Sequence, residues 1–337
     1  MTPLRIGVLG AARIAPAALM RPARAVEGVE VTAVAARDPQ RARRFAARYG
    51  IATVHADYAA VLADPDVDAV YVPLPNGLHA EWTLAALAAG KHVLCEKPLT
   101  SNTAQARGVA DAADRSGLVV MEAFHYRYHP LMARVRQLLD DGAVGRIRRL
   151  RASLCFPLYR FSDIRYRLDL AGGATMDAGC YPVNLLRFLA GTEPTVVSAR
   201  AELRTPGVDR AMTAQLRFPG PDGADGSDDA GGIDAELVAS LWSRRLLSLS
   251  AQVWGDAGRL RVFNYIAPST YHRLTWHSGG RRHSEQVPGE TTYTHQLRAF
   301  LSTVRDGGPV PTSARDGVAN MAVIDGIYRA AGLEPRG

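Results

Sequence analysis

The feature that most constrains the fold of this chain is a regular alternation of two kinds of segment over residues 4 to 121. Short runs rich in valine, alanine and isoleucine alternate with alanine-rich runs of helical spacing, several of which end at glycine. Parallel strands need such crossovers, because each strand must start again from the same end of the sheet. The pattern predicts strands at 4–9, 29–36, 52–55, 68–74, 92–95 and 118–121, and helices at 12–26, 39–49, 79–89 and 102–116. We therefore expect a doubly wound α/β domain over residues 1–123.

The pattern changes after residue 123. A helix is predicted at 129–139, and the strand-like runs that follow have few helices between them, which indicates a predominantly antiparallel, open-faced sheet. The predicted strands are 147–156, 195–203, 211–218, 235–241, 246–253, 258–263 and 271–276, and the predicted helices are 175–190, 294–305 and 314–331. Residues 219–232 contain no large apolar side chain and are predicted to form a loop without a function. The second domain, over residues 124–337, is thus expected to be of the α+β class.

Composition excludes several classes of protein. No segment approaches the roughly 18 consecutive apolar residues that a membrane span requires, and the first residues lack the pattern of a secretory signal. The three cysteines, Cys95, Cys155 and Cys180, are too scattered for a disulfide framework or a thiolate zinc site. The net charge of +7 comes mainly from dispersed arginines without a nucleic-acid-binding motif. We expect a cytoplasmic protein with no metal site, no nucleic-acid partner and no membrane association.

A turn of small residues follows the first predicted strand. The letters GAARIA at positions 10–15 occupy the place of the glycine-rich fingerprint of dinucleotide-binding (Rossmann) domains. Small residues there allow the backbone and a helix N-terminus to approach a pyrophosphate. Gly10, Ala12, Arg13 and Ile14 are therefore candidate cofactor-binding residues. Because alanine replaces two of the three glycines, the alternative is that Gly10 only forms a tight turn.

The end of the second predicted strand indicates which nucleotide binds. An acidic residue there accepts hydrogen bonds from the adenosine ribose, whereas a basic residue favours the 2′-phosphate of NADP. Arg37 lies at the strand end and Arg41 near the start of the next helix, so two guanidinium groups can converge on one phosphate. We expect NADP rather than NAD. In the alternative, Asp38 binds the ribose, although Asp38 is also suited to cap the helix that begins at Pro39.

Two further segments leave the carboxyl ends of predicted parallel strands, the edge where open α/β sheets bind ligands. The first is PLPNGLH at positions 73–79, and the second is EKP at positions 96–98. Five of their residues are candidate cofactor contacts, namely Pro73, Asn76, His79, Glu96 and Lys97. His79, His125 and His129 each have two interpretations, since a histidine at an element boundary either lines a pocket or is a satisfied structural residue.

The motifs together resemble those of glucose–fructose oxidoreductases, inositol dehydrogenases and related proteins. The similar segments are GVLGAARIA, PLPNGLHAEWTLAALAAGKHVLCEKP, MEAFHYRYHP, GGATMDAGCYP and WGDAGRLRV, which together span essentially the whole chain. The resemblance implies that Lys97 is catalytic and acts with Asp177 and Tyr181. Tyrosine at the last of these positions, with ARD after the second strand, is similar to the NADP-dependent dihydrodiol and xylose dehydrogenases and the sugar ketoreductases of the family. In that subset the residues matching Arg37 and Arg41 approach the 2′-phosphate.

The roles of the three candidate catalytic residues can be argued from the chemistry. When a hydride moves between nicotinamide and a carbon, a proton must move to or from the oxygen on that carbon. Tyrosine has an ordinary pKa of about 10, and a nearby ammonium group lowers it. We therefore expect Tyr181 to be the acid or base, Lys97 its electrostatic partner or an alternative proton donor, and Asp177 the orienting group. Taken singly, each also has a structural interpretation, as a loop lysine, a capping carboxylate and a core tyrosine.

These residues and motifs together predict one main function. We expect an NADP(H)-dependent oxidoreductase that interconverts CH–OH and C=O groups of a sugar, nucleotide sugar or cyclic polyol. Arg165 and Tyr166 resemble a substrate-side loop of the sugar ketoreductases and are candidate substrate contacts. The alternatives are a redox-neutral glycosidase that keeps its cofactor and a non-catalytic nucleotide-binding regulator. The resemblance also implies a homodimer or homotetramer assembled through the second-domain sheet.

Overall fold

The computed structural model describes residues 2–220 and 231–337. The chain divides into two compact units, of which the first combines residues 1–128 with 290–318 and the second combines residues 129–289 with 319–337. Most of the loop predicted at 219–232 therefore lies outside the described residues.

The first unit contains a parallel sheet of six strands. Its order is β3-β2-β1-β4-β5-β6, and all its neighbouring pairs are parallel. The strands are β1 (Leu4–Leu9), β2 (Val29–Ala35), β3 (Thr53–Val54), β4 (Ala69–Val72), β5 (His92–Cys95) and β6 (Val120–Glu122). The strand order reverses direction between β1 and β4, as in a doubly wound dinucleotide-binding fold, so this prediction is confirmed.

Helices connect these strands, and the four predicted ones end within one residue of the predicted position, whereas the short helix α3 (Tyr58–Ala63) was not predicted. Asp38, Asp57 and Asn102 cap the N-termini of three helices, while Gly50 and Gly117 end two of them in the left-handed conformation. The helices of this unit are a π-helical turn (Pro16–Met20), α1 (Arg21–Ala25), α2 (Pro39–Tyr49), α3 (Tyr58–Ala63), a 3₁₀ turn (Asn76–Leu78), α4 (His79–Ala88), α5 (Thr103–Ser116), a 3₁₀ turn (His125–Tyr128) and α8 (Thr292–Asp306).

The parallel sheet is covered on both faces. In β4, Ala69 and Tyr71 join one buried cluster, whereas Val70 and Val72 join the other. A strand that is buried on both faces places successive apolar side chains on opposite sides of the sheet, which explains its continuous hydrophobic sequence. The first cluster also contains three buried residues of α8, which are Leu297, Phe300 and Leu301.

The second unit is built on an eight-stranded sheet of order β14-β13-β12-β11-β7-β10-β9-β8. β7 and β10 are parallel, and the other described neighbours are antiparallel. The strands are β7 (Ile147–Cys155), β8 (Thr195–Thr205), β9 (Val208–Phe218), β10 (Ile233–Ser240), β11 (Ser248–Gly255), β12 (Gly258–Phe263), β13 (Arg273–Ser278) and β14 (Arg281–Glu285). The predicted, mainly antiparallel sheet is thus confirmed. β14 was not predicted, because its sequence RRHSE has no apolar alternation.

The helices of the second unit include the segment that carries Asp177 and Tyr181. This segment begins as a π-helical turn over Thr175–Gly179 and continues as α7 (Cys180–Ala190). Pro182 lacks the N–H that would bond to Ala178 O, which weakens the regular α-helical pattern at this position. The unit also contains α6 (Pro130–Asp140) and 3₁₀ turns at Ile164–Tyr166 and Leu168–Leu170, and α9 (Ala314–Ala330) crosses the boundary between residues 318 and 319.

The described residues contain neither a candidate membrane-spanning helix nor a candidate metal cluster. Within residues 2–220 and 231–337, no helix is both long and apolar enough to cross a bilayer. The same residues contain no cluster of three or more histidine, cysteine, aspartate or glutamate side chains that could hold a metal ion.

Candidate active site

The turn after β1 requires glycine at its first position only. Gly10 has a φ of +115°, and a Cβ atom there would lie 3.1 Å from Leu74 Cδ2. Its N–H donates a hydrogen bond of 2.8 Å to Ala35 O, which fixes the turn against the end of β2. Ala12 lies after the tight turn and is partly exposed, so a methyl group is tolerated there. Arg13 and Ile14 are exposed just before the following helical turn.

Arg37 and Arg41 are both exposed near the carboxyl end of β2. The hydroxyl of Tyr58, at the start of α3, lies near the Arg37 backbone and in the field of both guanidinium groups, which act to lower its pKa. Burial nevertheless raises the pKa of this tyrosine above its ordinary value. Tyr58 packs edge-on against Trp82 with their ring centroids 4.9 Å apart. The two cations and one phenol hydroxyl thus face the same region, which suits a phosphate group.

Asp38 is engaged within its own helix. Its Oδ1 atom accepts hydrogen bonds from the backbone N–H groups of Gln40 (2.9 Å) and Arg41 (3.2 Å). This is the geometry of an N-cap, and it favours the capping interpretation of Asp38 over the ribose-binding one.

Buried side chains surround the EKP segment after β5. Glu96 is 9% exposed, and its Oε1 atom accepts a hydrogen bond of 2.7 Å from the Tyr71 hydroxyl. Burial, together with the Glu96 charge, raises the pKa of Tyr71 well above its ordinary value, and the same two causes raise the pKa of Tyr293. From β6, Glu122 accepts the backbone N–H of Leu99 at 2.8 Å. The peptide conformation on both sides of Lys97 is therefore held by buried carboxylates.

His79 joins the two loops that carry the candidate cofactor contacts. Its ring is fully buried, with Nδ1 2.7 Å from Pro98 O and Nε2 2.8 Å from Leu74 O. One carbonyl belongs to the EKP segment and the other to the segment that holds Pro73 and Asn76. His79 is thus placed to fix the spacing of these loops.

His125 is a neutral neighbour of Lys97. Its Nδ1 atom lies 2.8 Å from Thr292 Oγ1, and its ring centroid lies 4.1 Å from that of Tyr293. Burial, assisted by the Lys97 charge, lowers the pKa of His125 to about 3, so the ring carries no charge near neutral pH. His129 has a structural role, because its Nδ1 atom accepts the backbone N–H of Leu131 at the start of α6.

In the second unit, Asp177 is paired with a cation. Arg165 Nε lies 3.0 Å from Asp177 Oδ2, and Arg165 Nη1 lies 3.1 Å from Asp163 Oδ1. The two carboxylates raise the pKa of Arg165, with Asp177 making the larger contribution. Tyr181 lies one helical turn after Asp177 and is 6% exposed. The structure therefore brings Asp177 and Arg165 together, a pairing that the sequence did not predict.

Tyr166 is buried, and its hydroxyl is hydrogen-bonded within its own loop. The ring is 6% exposed, and its hydroxyl donates a hydrogen bond of 2.9 Å to Leu158 O. Burial raises the pKa of Tyr166 to about 12. A contact between this residue and a substrate stays a prediction.

Comparison with known proteins decides the family. Residues 4–124 match the model of an oxidoreductase family with an NAD-binding Rossmann fold, GFO/IDH/MocA, and residues 132–261 match a C-terminal domain of the same family. The chain belongs to the GFO/IDH/MocA oxidoreductase family. The predicted family is therefore confirmed.

Three relatives illustrate the enzymes to which this family member is similar. It is 35% identical to the D-xylose 1-dehydrogenase (NADP(+)) 2 of Haloferax volcanii over 97% of each chain. It is 38% identical to the dTDP-3,4-didehydro-2,6-dideoxy-alpha-D-glucose 3-reductase of Streptomyces violaceoruber, over 90% of this chain and 86% of the other. Its fold matches the crystal structure of a 3-ketoreductase from Actinomadura kijaniata in complex with NADP and TDP-benzene, with a TM-score of 0.87, 33% identity and 98% of each chain covered.

Three tyrosines that lie beside candidate site residues were not identified from the sequence, namely Tyr58, Tyr71 and Tyr293. Tyr71 could have been identified from the sequence, because it is the one residue with a polar group in the apolar strand AVYV. Tyr58 and Tyr293 lie at the starts of helices, where a tyrosine has no distinctive pattern. Their roles depend on contacts with residues 21 positions away or more, which periodicity does not reveal.

Proposed function

We propose that this protein is an NADP(H)-dependent oxidoreductase that interconverts an alcohol and a carbonyl group on a sugar, nucleotide sugar or cyclic polyol. The observation that carries the cofactor assignment is the pair of exposed arginines at the end of β2, with Asp38 engaged as a helix cap. The names of the relatives support the same cofactor, since one is an NADP(+) dehydrogenase and another binds NADP in its crystal structure.

The residues of the first unit fit this nucleotide. A Cβ added at position 10 would meet Leu74, so Gly10 leaves room for a close backbone approach to the diphosphate, together with Ala12, Arg13 and Ile14. Arg37 and Arg41 hold the 2′-phosphate through charge-assisted hydrogen bonds, with the Tyr58 hydroxyl beside them. The nicotinamide end belongs to the loops after β4 and β5, which carry Pro73, Asn76, Glu96 and Lys97. His79 acts on this end by fixing the two loops.

Proton transfer is the task of the chain's own side chains. When bound, NADP supplies the hydride acceptor or donor for the substrate carbon. Tyr181 gives the proton to the substrate oxygen or removes it. Lys97 provides the positive charge that stabilises alkoxide and phenolate character. Asp177 accepts a hydrogen bond from a substrate hydroxyl, and the Arg165 guanidinium holds its carboxylate in place.

Separate titrations of the purified protein with NADPH and with NADH, followed by nicotinamide fluorescence, test the cofactor assignment. We expect Arg37→Ala and Arg41→Ala each to weaken NADPH binding by about 10-fold or more, because each removes a charge-assisted bond to phosphate. The affinity for NADH should change by less than about twofold, since NADH lacks that phosphate. Arg43→Ala, in the same helix, is the control and should change neither. Preference for NADH, unaltered in Arg37→Ala, would contradict the proposal.

We further propose that the protein self-associates through the eight-stranded sheet. β8 exposes Val197 (65%) and Leu203 (44%), and apolar side chains on an uncovered sheet are stabilised by a second copy of the chain. Light scattering on the purified protein should give the mass of a dimer or tetramer. A monomer at micromolar concentration would contradict self-association.

A further inference from the structure

A buried ion pair lies beside the candidate catalytic helix of the second unit. Asp209, at the start of β9, is 0% exposed and Arg336 is 3% exposed, with Asp209 Oδ1 2.9 Å from Arg336 Nη2. Removing two charges from water is costly, and the pair is stable only if further hydrogen bonds satisfy its remaining atoms. Neither residue belongs to the motifs that the sequence analysis identified.

The Asp209 carboxylate holds the first turn of the catalytic helix. Its Oδ2 atom accepts hydrogen bonds from both the backbone N–H and the Oγ1 of Thr175, each at 2.7 Å. Its Oδ1 atom accepts the Tyr328 hydroxyl at 3.0 Å as well as Arg336. A negative charge at a helix N-terminus is also stabilised by the helix dipole. Thr175 lies two residues before Asp177, so this carboxylate determines where the functional turn begins.

Arg336 connects the same turn to the loop that carries Arg165. Its Nε donates a hydrogen bond of 2.9 Å to Gly172 O. The neighbouring Gly173 N–H donates to Arg165 O at 2.8 Å, and Gly172 N–H donates to Arg167 O at 2.8 Å. The two partners of the Arg165–Asp177 ion pair are therefore both held by the Asp209–Arg336 pair, one through Thr175 and the other through the two glycines.

The two glycines of the GGATMD sequence are explained by this network. A Cβ on Gly173, which has a φ of +134°, would lie 2.1 Å from Asp209 Oδ1. A Cβ on Gly172 would lie 2.7 Å from the carbonyl oxygens of Arg165 and Arg167. Neither position has room for a side chain, because the buried pair and the loop approach the backbone directly.

We infer that Asp209 and Arg336 are positioning residues for the reaction, which set the orientation of Asp177 and Arg165 without touching substrate or cofactor. This inference rests on the proposed function, because it assigns Asp177 a role in turnover. Small displacements of a functional group lower the rate strongly, whereas nucleotide affinity depends on residues of the first unit. The pair should therefore affect kcat and leave NADPH binding unchanged.

The test compares kcat, NADPH affinity and melting temperature in a series of variants of the full chain. In Asp209→Asn, an NH₂ group must face either the Thr175 donors or the Tyr328 and Arg336 donors, so the turn shifts. We expect kcat per folded enzyme to fall about 30-fold or more while the Kd for NADPH stays within about twofold. Arg336→Lys keeps the charge but cannot make both hydrogen bonds, and we expect about a 10-fold fall in kcat. Arg336→Lys also tests the inference if Asp209→Asn does not fold.

Two controls separate positioning from stability. Leu274→Ala removes a fully buried side chain of β13 and should lower the melting temperature without changing kcat per folded enzyme. Asp234→Asn breaks the exposed pair with Arg217 and should change neither quantity. If Asp209→Asn and Arg336→Lys behave like Leu274→Ala, the pair is structural only and the inference is overturned. If Tyr181→Phe also retains full turnover, the proposed function itself fails, so the two failures are distinguishable.

Discussion

At the scale of single residues, a phosphate contact for Arg37 and Arg41 could be predicted from the sequence because the prediction depends on local position. A strand end and the following helix start are four residues apart, so the two side chains reach the same region whatever the rest of the chain does. Lys97 was predicted in the same way, from a motif at a strand end, and its catalytic role stays a prediction. Asp209 and Arg336 could not be found, because they lie 127 residues apart and meet only in the folded protein.

His125 gives a prediction for the pH dependence of stability. Its pKa in the folded protein is about 3, below the ordinary value of 6.5. Below pH 6.5 the unfolded chain therefore binds a proton at this position that the folded protein does not bind, and the free energy of unfolding falls with decreasing pH. Between pH 7 and pH 5 the loss attributable to His125 should be about 2 kcal/mol.

Urea denaturation of the wild type and His125→Gln at both pH values measures this contribution. The buried His79 and the partly buried His92 also have lowered pKa values, but they are present in both proteins. The variant should accordingly lose less stability on acidification than the wild type. Equal losses in the two proteins would show that His125 is not buried in its neutral form.

At the scale of secondary-structure elements, the sequence predicted the first unit more completely than the second. Most strands of the parallel sheet are short apolar runs, and several of the helices beside them end at glycine, so both the type and the ends of these elements can be read from the sequence. The sequence of β14 has no apolar pattern, because this strand is formed by hydrogen bonding to β13 and not by apolar burial. The helix at 175–190 was predicted, but the π-helical geometry of its first turn, Thr175–Gly179, was not, since the contacts of this turn include the long-range hydrogen bonds of Asp209 to Thr175.

The N-terminus of α2 allows a test of the two interpretations of Asp38. Asp38→Ala removes the acceptor for two backbone N–H groups and should lower the free energy of unfolding by about 1 kcal/mol. Asp38→Ser restores a capping oxygen and should recover most of that loss. Because the carboxylate does not bind ribose in this account, Asp38→Ser should keep the wild-type preference for NADPH. A marked loss of nucleotide affinity in Asp38→Ser would contradict the capping interpretation.

At the scale of the whole molecule, the sequence predicted both fold classes and the family but not the return of the chain to the first unit. The amphipathic pattern of α8 shows that one of its faces is buried, but not which sheet covers that face. The structure shows Leu297, Phe300 and Leu301 in the core of the first unit. Such an assignment requires long-range contacts, which hydrophobic periodicity does not encode.

The central claim is that the protein is an NADP(H)-dependent sugar oxidoreductase with Tyr181 as its proton-transfer residue. It is tested most directly by initial rates, followed by nicotinamide absorbance, with NADP(H) or NAD(H) and a panel of aldoses, cyclic polyols and keto-sugars linked to nucleotides. We predict turnover with NADP(H), and in Tyr181→Phe a fall in kcat of about 10²-fold or more with unchanged NADPH affinity. Full turnover in Tyr181→Phe, or turnover with NAD(H) alone, would contradict the account.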